Sequence, residues 1–455
     1  MTAIILLPAV LAVILLLRLR PSTVLLNFYL PVLLLFPLYF VWHQPGLPPI
    51  DAAQGVMLAF IPILFLYPER HFTTITDFLI ATFILMAALS VELSPTDTGA
   101  SFYVEDVRIS KNAIFVLVGL FLSIGMPYLM GKLMVEQEEV RWKVMRRICV
   151  LLAVVAFFSV YEYRMGSNPY RRYLGWMFPG QGDEWHEQIR WGYARISGPY
   201  AHAILAGMMF LTGLMLHRCL AILKKWPENY KSFSMRYMSP AREVFILLVA
   251  GIWMAGSRGP WLGAIFSYPL IPISASKRLW RNLLLYGLAA AFVYGVVFNV
   301  LDAYTAGGRK AATNEQQEAA AYRRELITNY TPYVEKAPVM GWGTIDFPKV
   351  KGMESIDNEY LLLAVTQGFV GLGLFSLLCL RAIWRLVWIG FKTKNLEDRV
   401  CSFTLLAVLV GIMASITTVF LGTQVQQIFF LVLGWTEALG RQDRREVLRL
   451  ARVIA

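Results

Sequence analysis

The chain has 455 residues, 57% of them hydrophobic and only 16% charged, with a formal net charge of +12 and a mean hydropathy of +0.55. This profile excludes an ordinary soluble globular domain. The four cysteines, Cys149, Cys219, Cys379 and Cys401, sit in or beside apolar runs, without the spacing of a metal site or a disulfide framework.

The apolar runs are long enough to cross a hydrocarbon core of roughly 30 Å as helices. They lack the two-residue alternation of barrel strands. Because only helices and closed barrels satisfy their backbone in lipid, the expected fold is all-α. It is a polytopic helical membrane protein with about 12–13 transmembrane helices and two long outer loops carrying short surface helices. The spans are predicted near 2–17, 23–42, 55–67, 74–93, 112–134, 147–162, 198–222, 243–257, 261–276, 282–301, 359–380, 401–420 and 424–439. The first lacks a charged start and a small-residue cleavage site, and reads as a permanent span.

Orientation follows from the positive-inside bias. With the basic tail (Arg441, Arg444, Arg445, Arg449, Arg452) in the cytoplasm, alternation puts most of the 42 Lys and Arg residues there. Almost all of the remainder falls in loops 163–197 and 302–358 and at Arg258. The chain thus divides into N-terminal spans over 1–146, a region over 147–440 that holds both long loops, and a cytoplasmic tail over 441–455.

In chain order, the first constellation is Arg190-Trp-Gly-Tyr-Ala-Arg-Ile-Ser-Gly-Pro-Tyr-Ala-His202. Arg195 is expected just above the membrane and His202 about one turn inside it. An arginine fork near a helix N-terminus suits a phosphate; a packed histidine bonded to a carbonyl is the plainer reading of His202. Next, Ala255-Gly-Ser-Arg-Gly-Pro-Trp261 breaks an apolar region between two short spans. Pro260 removes a backbone donor, while Gly256 and Gly259 let the chain turn. Arg258 is thereby held at the outer surface, in a break of the kind that lines substrate cavities, unless it only snorkels to lipid phosphates.

Residues 314–336 predict an amphipathic helix with Tyr322, Leu326, Tyr330 and Tyr333 as a surface-lying stripe. Arg323 and Arg324 point to neighbouring faces, so at most one meets a ligand. At 355–362, Ser-Ile-Asp-Asn-Glu-Tyr-Leu-Leu-Leu joins the second loop to a span. Asp357 is either the helix N-cap or a general base. The acid pairs Glu105-Asp106 and Asp183-Glu184 lack a partner at ligand spacing, so no metal and no cofactor are expected.

Four of these blocks occur in the order found in the O-antigen ligase and polymerase superfamily of bacterial envelope enzymes. They are ARISGPYAHA (194–203), SRGPWLG (257–263), YRREL through PVMGWG (322–343), and DNEYLLLAVTQGFVGLGLF (357–375). The last resembles the family's His-Asn-x-Tyr-Leu block and its Gly-x-x-Gly helix. The third is similar to the family's arginine followed by Pro-x-x-Gly-x-Gly, with Arg323 in better spacing than Arg324. The resemblance covers about 150–440.

It implies a metal-independent glycosyltransferase of the bacterial inner membrane with its active site towards the periplasm. The implied partners are an undecaprenyl-diphosphate-linked glycan donor, a glycan acceptor and the bilayer; a chain-length-regulating co-polymerase fits the same reading, and no nucleic acid is expected. By motif, Arg195 and Arg323 clamp the diphosphate, Asp357 activates the acceptor hydroxyl, and Arg258, His202, Arg324, Asn358, Glu359 and Tyr360 bind substrate. Where the ligases carry His, this chain has Asp357, and a carboxylate beside arginines, though it can still accept the hydroxyl proton, is expected to be a weaker base than imidazole at neutral pH. That departure favours a polymerase of exopolysaccharide or O-antigen repeat units over a ligase that joins the finished glycan to lipid A-core. A lipid-linked oligosaccharide flippase would also present arginines to a diphosphate, but transporters carry their charges near the midplane.

Overall fold

Leu, Ile, Val and Ala dominate each predicted span, and a helix forms in every one of the thirteen. The computed structural model describes all residues except 1, 45, 67–72, 94–102, 105–106, 109–111, 182–187, 228–237, 346, 354 and 455. For 103–104, 107–108, 298, 315 and 440–454 it describes the backbone alone. The helices are α1 (Thr2–Arg18), α2 (Pro21–Leu35), α3 (Ala52–Leu64), α4 (Ile75–Glu92), α5 (Ala113–Met134) and α6 (Glu138–Met165). They continue as α7 (Pro169–Leu174), α8 (Ala203–Ile222), α9 (Pro240–Met254), α10 (Arg258–Ser267), α11 (Leu270–Ser274) and α12 (Leu279–Thr305). The last four are α13 (Glu315–Lys336), α14 (Glu359–Lys392), α15 (Leu396–Ser415) and α16 (Thr423–Ile454). Seven described helices, α4, α5, α6, α8, α12, α14 and α15, are long and apolar enough to cross a membrane. The fold is a multi-pass helical membrane protein whose sheet, among the described residues, amounts to three two-stranded hairpins.

The centre of the bundle is α8, nearly all of whose apolar window is buried. It packs against α6, α9, α10 and α15. At one end, charges inside apolar helices are paired, which offsets the cost of withdrawing them from water. Lys132 reaches Asp77 at 2.5 Å, Tyr128 donates to the same carboxylate at 2.6 Å, and Arg385 meets Glu437 at 3.1 Å. Arg141 bonds Asp398 at 2.8 Å.

The opposite end gathers the segments that alternate with these. Gln181 exchanges hydrogen bonds with the Val41 backbone at 2.8 and 3.1 Å. Gln424 donates to the carbonyls of Phe36 and Pro199. Several apolar runs stop being helical here, and these are the differences from the predicted boundaries that bear on the site. The run 23–42 leaves its helix after Leu35, just before Pro37, which cannot continue the ladder. The run 198–222 becomes helical only at Ala203. The run 401–420 ends its helix at Ser415. The run 359–380 belongs to a helix that reaches Lys392 but is broken at Gly368. Each departure puts irregular backbone at the same end.

Candidate active site

Two-residue turns favour positive φ at both positions, and Trp191 (φ 55) and Gly192 (φ 78) close such a turn. It joins β5 (Ile189–Arg190) to β6 (Tyr193–Ala194); β1–β4 are the strands of the other two hairpins, Val41–Trp42 with Ile50–Asp51 and Tyr103–Val104 with Val107–Arg108. The chain leaves this hairpin at Arg195 and docks on the α9–α10 break, Ile196 N donating to Met254 O at 3.2 Å. The Arg195 guanidinium donates from Nε to Ala255 O at 3.1 Å and from Nη2 to Ser257 Oγ at 2.7 Å, and also bonds Gln188. Arg190 donates to Gly256 O at 2.5 Å. The break predicted around Arg258 is therefore the seat of Arg195, and two of the four sequence blocks form one unit. Among the described residues Arg195 has no carboxylate partner. Burial, then Arg190 and Arg323, push its pKa down to about 10, as for a cation waiting for an anion.

His202 is the N-cap of α8. Its Nδ1 accepts the Ile204 N–H at 3.2 Å, so Nε2 carries the proton of the neutral ring. Burial and then Arg195, Arg171 and Arg323 hold its pKa down at about 3. A ring that stays neutral with Nδ1 occupied can donate from Nε2 but cannot serve as a base.

Helix α13 begins at the predicted place, capped by Asn314, whose side chain accepts the Gln317 N–H at 2.8 Å. Its aromatic stripe corrects the surface-lying reading: Leu326 and Tyr330 are fully buried against Phe347, Met353, Ile356 and Val365, so the stripe covers the protein's own loop. Tyr330 Oη donates to Met353 O at 2.8 Å, and Tyr322 Oη to Ser355 O at 2.8 Å. These bonds fix the Asp357 segment beside the Arg323 turn. Arg323 bonds its own helix at Ala319 O (2.9 Å), while its buried Nε has no hydrogen-bond partner among the described residues. Burial lowers its pKa, with Asp357 acting to raise it and Arg258 to lower it. Arg324 is not brought into this group. It turns away to Asp302, at 2.9 Å, and ties α13 to the end of α12.

The N-cap of α14 is Asn358, whose side chain accepts the Leu361 N–H at 3.2 Å. The capping role considered for Asp357 thus falls to its neighbour. Asp357 instead accepts the Ser355 hydroxyl at 2.9 Å. Its pKa is raised: burial outweighs the Ser355 bond and the attraction of Arg323. Arg323 does pull the pKa down, as expected of a carboxylate beside an arginine, but desolvation outweighs it. Glu359 accepts the Leu421 N–H at 2.7 Å, and Tyr360 Oη donates to Met413 O at 3.2 Å. The polar groups of Asn358, Glu359 and Tyr360 are therefore engaged with the protein's own backbone. Arg258, the first residue of α10, is exposed and acts electrostatically on Arg323.

The glycine blocks have a shared cause. Trp342 N donates to Val365 O at 2.9 Å, Gly343 N to Thr366 O at 2.8 Å, and Phe369 N to Pro338 O at 2.7 Å. The 338–343 strap thus supplies the partners that α14 loses where it breaks. Gly341 (φ +69) and Gly368 (φ +63) are left-handed, and a Cβ would lie 2.5 Å from Thr366 C or 2.3 Å from Val339 O. Only glycine fits either position.

Residues 244–376 match the model of the O-antigen ligase family. That segment belongs to the O-antigen ligase and polymerase superfamily. No curated protein matches the chain. The match supports a glycosyltransferase-type enzyme acting on a lipid-linked glycan donor and an acceptor in a membrane. Three of the four resembling blocks lie inside the matched segment, and ARISGPYAHA lies before it. The structure joins that outlying block to the superfamily segment through the Arg195–Ser257 bond.

The sequence reading missed Glu162, at the loop end of α6. Its buried carboxylate accepts Asn168 Nδ2 (2.9 Å), Ser197 N (3.0 Å), Ser197 Oγ (3.0 Å) and Gly198 N (2.8 Å). It thereby sets the loop two residues beyond Arg195. A lone acid closing an apolar run was the available signal. Ser257 and Ser355, which orient Arg195 and Asp357, sit inside quoted blocks but were given no role. Among the described residues no three His, Cys, Asp or Glu side chains group as metal ligands. The acid pairs Glu105-Asp106 and Asp183-Glu184 lie outside the described residues.

Proposed function

We propose that the protein transfers an undecaprenyl-diphosphate-linked oligosaccharide to an acceptor sugar hydroxyl at the periplasmic face, polymerising exopolysaccharide or O-antigen repeat units. One observation carries this reading. Arg195, Arg258 and Arg323, none with a carboxylate salt bridge among the described residues, act electrostatically on one another or on Asp357, a carboxylate released from capping and raised in pKa by burial. Arg195 and Arg323 hold the donor diphosphate. Asp357 takes the proton of the acceptor hydroxyl as its oxygen attacks the anomeric carbon. The bond from that carbon to the diphosphate oxygen breaks, and the electron pair leaves with undecaprenyl diphosphate, whose charge the arginines stabilise. By motif, His202 sits beside this donor site as a substrate-binding residue. Charges gathered at one end of the bundle, not at its midplane, favour an enzyme over a flippase.

The lipid-linked species that accumulate when the protein is removed test the reading. Single repeat units on the carrier support a polymerase. Full-length chains on the carrier identify a ligase, and glycans trapped on the cytoplasmic side identify a flippase.

A further inference from the structure

The hairpin that delivers Arg195 to the α9–α10 break carries an unfavourable residue at its tip. The first position of such a turn suits Asn, Asp or Gly, and a bulky side chain at positive φ is strained. Trp191 stands there at φ 55, and it is 53% exposed, so burial does not account for it. A stack holds it. Its ring centroid lies 5.7 Å from that of Trp261 and 6.3 Å from that of Trp253, those two are 5.2 Å apart, and the interplanar angles run from 10° to 28°. Trp253 is in the last turn of α9 and Trp261 in the first turn of α10. The tip is therefore level with the helix ends that flank the break. On the second strand Tyr193 stacks on Tyr163, in the last turn of α6, at 4.9 Å and 8°. The helices that receive the hairpin are apolar outwards. Ile246, Val249 and Trp253 form an exposed ridge along α9, Leu262 and Ile265 extend it on α10, and Phe157 and Val160 are exposed on α6, which is long and apolar enough to cross a membrane. Such ridges face lipid. Cations accompany the rings: Arg190 lies over Trp191 at 5.9 Å, and Arg164, next to Tyr163, and Arg258 are exposed, as suits lipid phosphates.

We infer that this hairpin is seated in the membrane surface, with Trp191 and Tyr193 in the phospholipid headgroup layer over the ends of α6, α9 and α10. Trp and Tyr favour that layer, where one end of the ring meets hydrocarbon and the other meets water. A glycan is the other guest that aromatic rings attract, but it needs an open ring face. Here the near-parallel indoles are stacked on one another, and what they continue is the exposed apolar surface of the helices below. The seat fixes the height of Arg195, the residue after β6, in the layer where a lipid carries its phosphate. That this height serves the donor diphosphate rests on the proposed transfer; the contact with lipid does not.

The test is a depth measurement on the full chain in phospholipid liposomes. All four native cysteines are buried, so Trp191→Cys offers an accessible thiol at the tip for a bimane, and Tyr193→Cys offers a second should the first fail to fold. The probes are phosphatidylcholines with a nitroxide on the headgroup, high on the acyl chain or near its end, and iodide in the water. An interfacial element lies roughly 5–10 Å into the headgroup and acyl boundary, so the two shallow nitroxides should at least about halve the emission. The deep nitroxide and iodide should each quench much less. Because no turnover is needed, the same profile should appear in Asp357→Asn, and a failure of the transfer mechanism would leave it unchanged. Emission that ignores every lipid nitroxide and falls with iodide overturns the inference, and so does quenching that is strongest from the chain end. If oligosaccharides released by mild acid from the cell's carrier lipids then shield the label from iodide, the aromatic surface belongs to a glycan and the seat in lipid is wrong.

Discussion

Glu162→Gln is the change whose consequence is easiest to work through from the geometry. Oε1 of Glu162 takes three donors, Asn168 Nδ2, Ser197 N and Ser197 Oγ, and Oε2 takes Gly198 N. A glutamine keeps one oxygen. In its better orientation it retains the three bonds and turns an NH₂ towards the Gly198 N–H. That leaves a buried donor unpaired, at about 1–3 kcal/mol, and weakens three charge-assisted bonds to neutral ones. The total is about 2–4 kcal/mol of stability. The strained loop also carries Arg195, and a displacement of about 1 Å at a positioning group costs roughly 10²-fold in rate. Detergent-solubilised Glu162→Gln should melt earlier and turn over carrier-linked oligosaccharide far more slowly, although residue 162 touches no substrate. An unchanged melt would refute the hydrogen-bond argument. A lowered melt with full turnover would refute the positioning of Arg195.

Gly368→Ala should lose about 2–5 kcal/mol, from left-handed strain and a Cβ 2.3 Å from Val339 O, and a wild-type melting temperature would show that the strap yields. Because the folded-state pKa of His202 is pushed from 6.5 down to about 3, its unfolded form binds more protons below pH 6.5. Stability should therefore fall with pH below that point, by at most about 1.4 kcal/mol per unit. His202→Asn keeps a capping oxygen and should flatten that slope in melts from pH 7 to 5; an undiminished slope would assign it elsewhere. Arg195→Ala and Arg323→Ala should each nearly abolish turnover in folded protein, with Lys restoring little because a point charge lacks the bidentate fork. Full activity in both Ala variants would remove the diphosphate clamp.

Much of the helical order was legible because long apolar runs are a strong physical signal. Helix α13 was equally so, through Asn314 and the spacing of Tyr322, Leu326 and Tyr330. The break at Arg258 was visible in its Gly and Pro. What that break holds was not, since the Arg195 bonds to Ala255 and Ser257 join segments about 60 residues apart. The cap of α14 lies between adjacent good cappers, Asp357 and Asn358, which composition cannot rank; the structure gives it to Asn358. The sign of the Asp357 shift also needed structure, because the attraction of Arg323 is readable from the motif and the burial that outweighs it is not. Glu162 was invisible for a related reason: two of its four donors are backbone N–H groups of a turn 35 and 36 residues away, and backbone groups leave no mark in a sequence.

Turnover of carrier-linked oligosaccharide by purified Asp357→Asn, beside a thermal melt, tests the central claim most directly. Asn358 caps α14, so the substitution should leave the melt unchanged while removing the group that accepts the proton. Turnover should fall roughly 10²–10⁴-fold, with part of it returning in Asp357→His. In the wild type, turnover should fall on the acid side at a pH above that of an ordinary aspartate, since burial raises the Asp357 pKa and only the ionised form can take the proton. A stable Asp357→Asn enzyme with wild-type turnover would contradict the account.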